Sequence, residues 1–336
     1  MKRLRHVLEA RDFDRPLLDS LCRLTTRIRE TCKTKEGVLA MKRRHPDKRA
    51  ALYFTQPSTR TFNSFKAACQ TLGMDWLEIH DPSTSSEVKG ETPIDSVATF
   101  ASYADVVIIR SPEKDLAKQA AEYFDHELRR QSWHAAHVVN GGSGRDQHPT
   151  QALHDVYTLH REFRELGGIE GKTIAMVGDL ARGRTVRSLA YLMRHYPGIR
   201  LIFVSPRAFR MKKDIKAFLK KHDIPFVETE DLDQAVHEAD AVYMTRIQDE
   251  HDKSKGESSM VDIGPFCFKP KHLKILGPHA IVMHPLPRRE ELDPACDHDP
   301  RIKIWRQERN GMWMRAAVID YLLREDDPLE GMSEAP

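Results

Sequence analysis

Several short stretches hold residues suited to binding anions or polarising a carbonyl group. In YFTQPSTRTF an apolar run ends in Ser58, Thr59, Arg60 and Thr61. Phe62, Phe65, Ala68, Cys69 and Leu72 recur behind them at helical spacing, which puts those four residues in the first turn of a helix. Backbone N–H groups there lack intrahelical acceptors and the dipole end is positive, so the hydroxyls and the guanidinium would complete a phosphate cradle. An ordinary N-cap by Ser58, with Arg60 on the surface, is the competing account. Arg110 follows ADVVII, and His148-Pro149-Thr150-Gln151 opens a helical segment. His148 and Gln151, three apart, project from one face, where a donor and an amide could hold a carbonyl group; a purely structural histidine is the alternative. KTIAMV leads into GDLARGRT, with Arg184, and ADAVYM leads into Thr245-Arg246-Ile247-Gln248. Each supplies an arginine for bidentate contact with a carboxylate. AIVM ends in His284-Pro285-Leu286-Pro287-Arg288, a stiff turn able to present backbone carbonyls at fixed geometry.

Residues of these kinds belong in loops beyond the carboxyl ends of parallel strands. The chain alternates short apolar runs with amphipathic segments, the pattern of an α/β protein. RAALYF, DWLEIH, ADVVIIR and HAAHVVN read as strands of a first half; KTIAMVGD, IRLIFVS, PFVE, ADAVYMTR and AIVMHP read as strands of a second. Between the halves Leu153, Val156, Tyr157 and Phe163 form the stripe of a long helix, preceded by a loop with Gly141, Gly142 and Gly144. Two similar open parallel-sheet α/β domains follow, residues 1–149 and 150–304, linked by that helix. MWMRAAVIDYLL has no strand after it and must dock as a helix on one of them.

The formal net charge of +3 is small against 53 Lys+Arg and 50 Asp+Glu, so neither nucleic acid nor a membrane is indicated as a partner. No apolar run reaches the roughly 20 residues of a membrane helix, and the basic start MKRLRHVLEARDF lacks an apolar signal core. A cytoplasmic protein is expected. Cys22, Cys32, Cys69, Cys267 and Cys296 are scattered and odd in number, indicating free thiols rather than a disulfide framework or a zinc site.

STRT after a strand, HPTQ at the start of the interdomain helix, GDLxxGRT, TRxQ and HPLPR, in that order between Ser58 and Arg288, anchor a resemblance that runs from about residue 6 to about residue 325. In this the chain resembles the aspartate carbamoyltransferase catalytic chain. The resemblance implies that Ser58, Thr59, Arg60 and Thr61 bind the phosphate of carbamoyl phosphate. It also implies that Thr61, Arg110 and His148 polarise the carbamoyl oxygen and that Gln151 holds the amide. Arg184, Arg246 and Gln248, with backbone groups of Leu286 and Pro287, would bind aspartate. The sister enzymes that act on ornithine typically carry Cys where this chain has HPLP, which favours a dicarboxylate acceptor. Ser85 and Lys89 match residues that reach a neighbouring subunit's site, implying a homotrimer with shared active sites. The C-terminal helix, 305–336, would return to the first domain, and the chemistry would need no cofactor or metal. A regulatory chain or a dihydroorotase partner is compatible with the pattern.

Some positions depart from the resemblance. Gln56 replaces a usual Glu and His251 an Arg, residues of the interdomain salt bridges that hold the closed state; Ala181 and Arg182 replace a Lys followed by Tyr or His; Val88 precedes Lys89. Weak or absent cooperativity in aspartate is the expectation. Another amino-acid acceptor and a catalytically weakened scaffold are the competing functions. A P-loop nucleotidase is a further alternative, since GDLARGRT mimics GxxxxGK[ST], but Arg184 stands where that loop needs a compact lysine ammonium.

Overall fold

The computed structural model describes residues 4–79, 90–130, 136–142, 147–252, 256 and 258–324. The chain divides into two compact units, one comprising the residues up to His154 and from Asn310 onward, the other Asp155–Arg309. The expected border at 149/150 thus falls at the first turn of the connecting helix, and the units part five residues further on.

In the first unit, α1 (Arg15–Thr31) and α2 (Lys35–Met41) precede β1 (Arg49–Phe54), α3 (Thr59–Leu72), β2 (Asp75–Ile79), α4 (Pro93–Ala101), β3 (Val106–Arg110), α5 (Leu116–Tyr123) and β4 (His137–Asn140). The sheet order is β2-β1-β3-β4, and every pairing is parallel. Strands buried on both faces account for the continuous apolar runs: all five residues of β3 are buried. Each fully buried Ile or Val contributes about 2 kcal/mol. Val97 and Ala101 of α4 and Leu116, Ala117 and Ala120 of α5 pack with Val107 and Ile109 in one core cluster. Phe62 of α3 meets Phe54 edge-on, ring centres 5.2 Å apart. Val7, which no sequence pattern marks, bridges in parallel to Val139, so an N-terminal strap covers the outer edge of β4.

Helix α6 (Pro149–Glu162) leads on to β5 (Thr173–Val177), α7 (Arg184–Leu192), β6 (Arg200–Val204), α8 (Lys213–Lys221), β7 (Phe226–Thr229), α9 (Leu232–Glu238), β8 (Ala241–Met244), α10 (Pro270–Leu273) and β9 (Ile281–Met283). Again every pairing is parallel, in the order β7-β6-β5-β8-β9. Helix α9 packs on one face through Leu232, Ala235 and Val236. The chain closes with α11 (Ile304–Leu323), whose C-terminal part belongs to the first unit. There Asp320 accepts hydrogen bonds from Arg44 and Arg324 and pairs with His45 at 2.8 Å. No helix of the described residues is long and apolar enough to cross a membrane.

Candidate functional site

The first group of candidate residues gathers at the carboxyl ends of β1 and β3. Ser58 occupies the N-cap position of α3, but its side chain makes no capping hydrogen bond and the first turn holds no acidic residue. The capping role that competed with anion binding is therefore not exercised. The first bond of the helix runs from Phe62 N–H to Ser58 C=O at 3.1 Å, leaving the N–H groups of Thr59, Arg60 and Thr61 ahead of it. Thr59 and Arg60 are exposed, whereas Thr61 is buried.

Arg110 ends β3, and its carbonyl accepts the N–H groups of Thr55 (2.9 Å) and Gln56 (3.2 Å), just ahead of Ser58. Its buried guanidinium donates through Nη1 to the Gly141 carbonyl at 3.2 Å. Gly142, at φ 105°, marks where Arg110 and His148 converge. A Cβ on this glycine would stand 2.7 Å from Arg110 Nη1 and 3.1 Å from His148 Nε2, so only the absence of a side chain lets the three pack together. His148 closes the first turn of α6 by accepting N–H groups from Gln151 and Ala152. Gln151 is buried and its Nε2 lies 2.5 Å from His154 Nε2. Ser85, Val88 and Lys89 lie outside the described residues. Gln56 keeps its Oε1 buried with no hydrogen-bond partner among the described residues.

The second group lies in the loops after β5, β8 and β9. Asp179, fully buried, accepts from the backbone N–H of Gln248 (3.2 Å) and from the backbone and Nε of Arg182 (3.1 and 2.7 Å). Arg182 also donates to Asp252 Oδ1 at 2.7 Å and Ser258 Oγ at 2.9 Å, with its guanidinium over the Phe209 ring. The departure at this position thus creates a four-point brace. Burial alone would lower the Arg182 pKa; Asp252 and Asp179 reverse that and hold it above the ordinary arginine value.

Arg246 forms a two-pronged ion pair with Glu250 and donates to its neighbour's carbonyl, Ile247, at 2.9 Å. Burial would raise the Glu250 pKa, but the Arg246 hydrogen bonds hold it below the usual carboxylate range. Asp249 is pushed down to about 2, chiefly by its paired hydrogen bonds with Arg289 at 2.9 and 3.1 Å, which tie the β8 loop to the β9 loop. Arg184 opens α7; desolvation brings its pKa down to about 10, with Glu250 acting in the opposite sense. The side chain of His251 lies outside the described residues.

In HPLPR, Leu286 sits at φ 52°, rare for a leucine. Its N–H donates to His284 Nδ1 at 2.8 Å, so His284 carries its proton on Nε2 and donates to Glu291 Oε1, also at 2.8 Å. Burial would raise the Glu291 pKa, but the bonds from His284 and the Arg289 N–H hold it low. The Leu286–Pro287 peptide is cis. Arg288 turns to Asp297 in a paired ion contact.

Gly142, Asp179, Glu250, Asp252 and His154 were not singled out as site residues from the sequence. His154, three after Gln151 on α6, was open to helical-face reasoning, and Glu250, four after Arg246, to spacing alone. Asp252 and Ser258 were not, since they lie some seventy residues from Arg182 in the chain.

Two doubly wound α/β units, one with a helix N-terminus set for an anion and the other with arginines after its strands, define a two-domain α/β protein suited to anionic ligands. The aspartate/ornithine carbamoyltransferase carbamoyl-P binding domain model matches residues 5–161 and the Asp/Orn binding domain model residues 170–322. The chain belongs to the aspartate/ornithine carbamoyltransferase family. It is 38% identical over 318 residues to aspartate carbamoyltransferase 1, chloroplastic, of Pisum sativum, covering 94% of this chain and 78% of the relative. It is 34% identical to the aspartate carbamoyltransferase catalytic subunit of Methanocaldococcus jannaschii, covering 96% and 99%. A crystal structure of the M. jannaschii catalytic subunit superposes with TM-score 0.81 over 98% of this chain and all of that one, at 34% identity. Aspartate transcarbamoylase of Trypanosoma cruzi in complex with carbamoyl phosphate and aspartate gives TM-score 0.81 at 31% identity, covering 95% of each chain.

Proposed function

We propose that this chain transfers the carbamoyl group of carbamoyl phosphate to the α-amine of L-aspartate, giving N-carbamoyl-L-aspartate and phosphate for pyrimidine biosynthesis. The observation that carries the reading is the convergence of Arg110 and His148 on Gly142, while the Arg110 carbonyl holds the backbone that leads into Ser58–Thr61. In this reading Ser58, Thr59, Arg60 and Thr61 hold the phosphate. Thr61, Arg110 and His148 donate to the carbamoyl oxygen, and Gln151 takes the carbamoyl amide.

The aspartate amine attacks the carbonyl carbon, and the tetrahedral intermediate places negative charge on the oxygen those donors face. Their bonds strengthen as that charge develops, so the barrier falls more than the bound substrate is stabilised. Collapse breaks the C–O bond to phosphate, and the departing phosphate takes the amine proton. Neither a protein nucleophile nor a cofactor is required. Arg184, Arg246 and Gln248 bind the acceptor, with backbone groups of Leu286 and Pro287. An incoming carboxylate would raise the Arg184 pKa, which burial lowers to about 10, back toward the ordinary arginine value.

The active unit in this proposal is a cytoplasmic homotrimer in which Ser85 and Lys89 complete a neighbour's site. A panel of aspartate, ornithine and their acetylated forms tests the acceptor: carbamoyl aspartate as the principal product is expected, and turnover of ornithine alone would overturn the assignment. Mixing inactive R60A and K89A chains tests sharing. Partial recovery of turnover is expected; none would argue for self-contained sites.

A further inference from the structure

We infer that His154 is a positioning residue that fixes the amide of Gln151 for the carbamoyl group, an inference that rests on the proposed carbamoyl transfer. Gln151 Nε2 lies 2.5 Å from His154 Nε2, both side chains buried on one face of α6. An amide nitrogen has only hydrogens to give, so the ring nitrogen must receive. That places the ring proton on Nδ1. The bond decides which way the amide points: Nε2 is turned to the ring, and Oε1 is the end left for a ligand. A carbamoyl NH2 group likewise offers only hydrogens and needs an acceptor. An amide turned the other way would set N–H groups against N–H groups.

The ring is held in its place from behind. A Cβ on Gly311 of α11 would stand 2.5 Å from His154 Nδ1 and 2.7 Å from Arg315 Nη1, so ring and guanidinium both pack against this glycine. Arg315 in turn donates from Nη1 to Ser64 Oγ at 2.7 Å and lies over the Phe65 ring, both residues of α3. The helix that presents Gln151 and the helix that begins at Ser58–Thr61 are thereby braced through α11. A histidine on an apolar face is ordinarily core filling; here its ring nitrogen is spent on a glutamine that this reading puts against substrate.

The experiment uses the full chain with His154→Leu, Gln151→Ala and the double variant, with carbamoyl phosphate varied at saturating aspartate and inorganic phosphate as a competing probe. His154→Leu is expected to lower kcat/KM for carbamoyl phosphate about tenfold, the value of one hydrogen bond, with phosphate inhibition unchanged. In the Gln151→Ala background it should cost nothing more. Additive losses, or a matching loss of phosphate inhibition, would reduce His154 to a core residue. His154→Gln, whose Oε1 can stand near the position of ring Nε2, should recover part of the loss and serves if the leucine variant folds poorly. Nitrogen-15 NMR of the wild-type ring should show the proton on Nδ1; a proton on Nε2 would turn the amide round and sink the inference. The NMR result does not need turnover, so a chain inert toward aspartate would count against the proposed function and not against this geometry.

Discussion

Gly178 and Thr245 approach so closely that a Cβ on the glycine would stand 2.1 Å from the threonine carbonyl oxygen. Gly178 has φ 112°, and Thr245 N–H donates to the Val177 carbonyl at 2.8 Å. The contact joins the first residue of GDLARGRT to the first of TRIQ. Gly178→Ala must push these strand ends apart, at a cost of about 2–4 kcal/mol from clash and strained backbone together. Urea denaturation should show that loss, and aspartate saturation of whatever remains folded should be shifted to higher concentration.

Arg182→Leu should weaken aspartate far more than carbamoyl phosphate. Removing the guanidinium takes away the common partner of Asp179 and Asp252, and breaking the buried pair with Asp179 from one side costs about 3–5 kcal/mol. The β8 loop that carries Arg246 and Gln248 then loses its brace. Arg182→Lys keeps the charge without the planar fork and should fall between the two. Equal rises in KM for both substrates would show that the brace has no particular bearing on the acceptor.

Arg60→Ala is expected to cut turnover by on the order of 10²-fold or more, as a lost oxyanion or phosphate donor does. Because the side chain is exposed and outside the core, thermal stability should stay within about 0.5 kcal/mol of wild type. Unimpaired turnover would remove Ser58–Thr61 from the phosphate site.

Asp320 makes the first unit sensitive to acid. Burial raises its pKa, but His45, Arg324 and Arg44 more than offset this and bring it from 3.8 to about 2. A depressed folded value means stability fully present above pH 3.8 and lost as pH falls toward 2, worth roughly 2 kcal/mol. Asp320→Asn should be less stable at neutral pH and show a shallower loss between pH 4 and 2. Parallel acid transitions of the two proteins would exclude Asp320 as the sensitive group.

With Gln56 and His251 in place of the usual charged pair, aspartate saturation of the purified chain is expected to be hyperbolic. Steady-state rates across a wide aspartate range decide this, and a clearly sigmoidal curve would refute it.

The strand pattern and the site motifs were legible because parallel strands buried on both faces leave uninterrupted apolar runs, and because ligands collect where such runs end. Arg110, His148 and Gln151 could be named from that logic. The brace around Arg182 could not: nothing local to GDLARGRT says that Asp252 and Ser258 will fold back on it. Val7 was equally hidden, since a single bridging residue has no periodicity. The paired carboxylate of Arg246 shows the opposite case, a four-residue spacing that was visible but not weighed.

Arg110 divides its tasks between two parts of one residue. The carbonyl, which any amino acid would supply, fastens the main chain at Thr55 and Gln56, while the guanidinium reaches Gly141. Replacing the side chain therefore leaves the fastening of Thr55 and Gln56 in place and removes only what the guanidinium does. Inserting or deleting one residue in β3 would instead forfeit both tasks together, so tolerance to substitution and tolerance to length change should diverge sharply at this strand end.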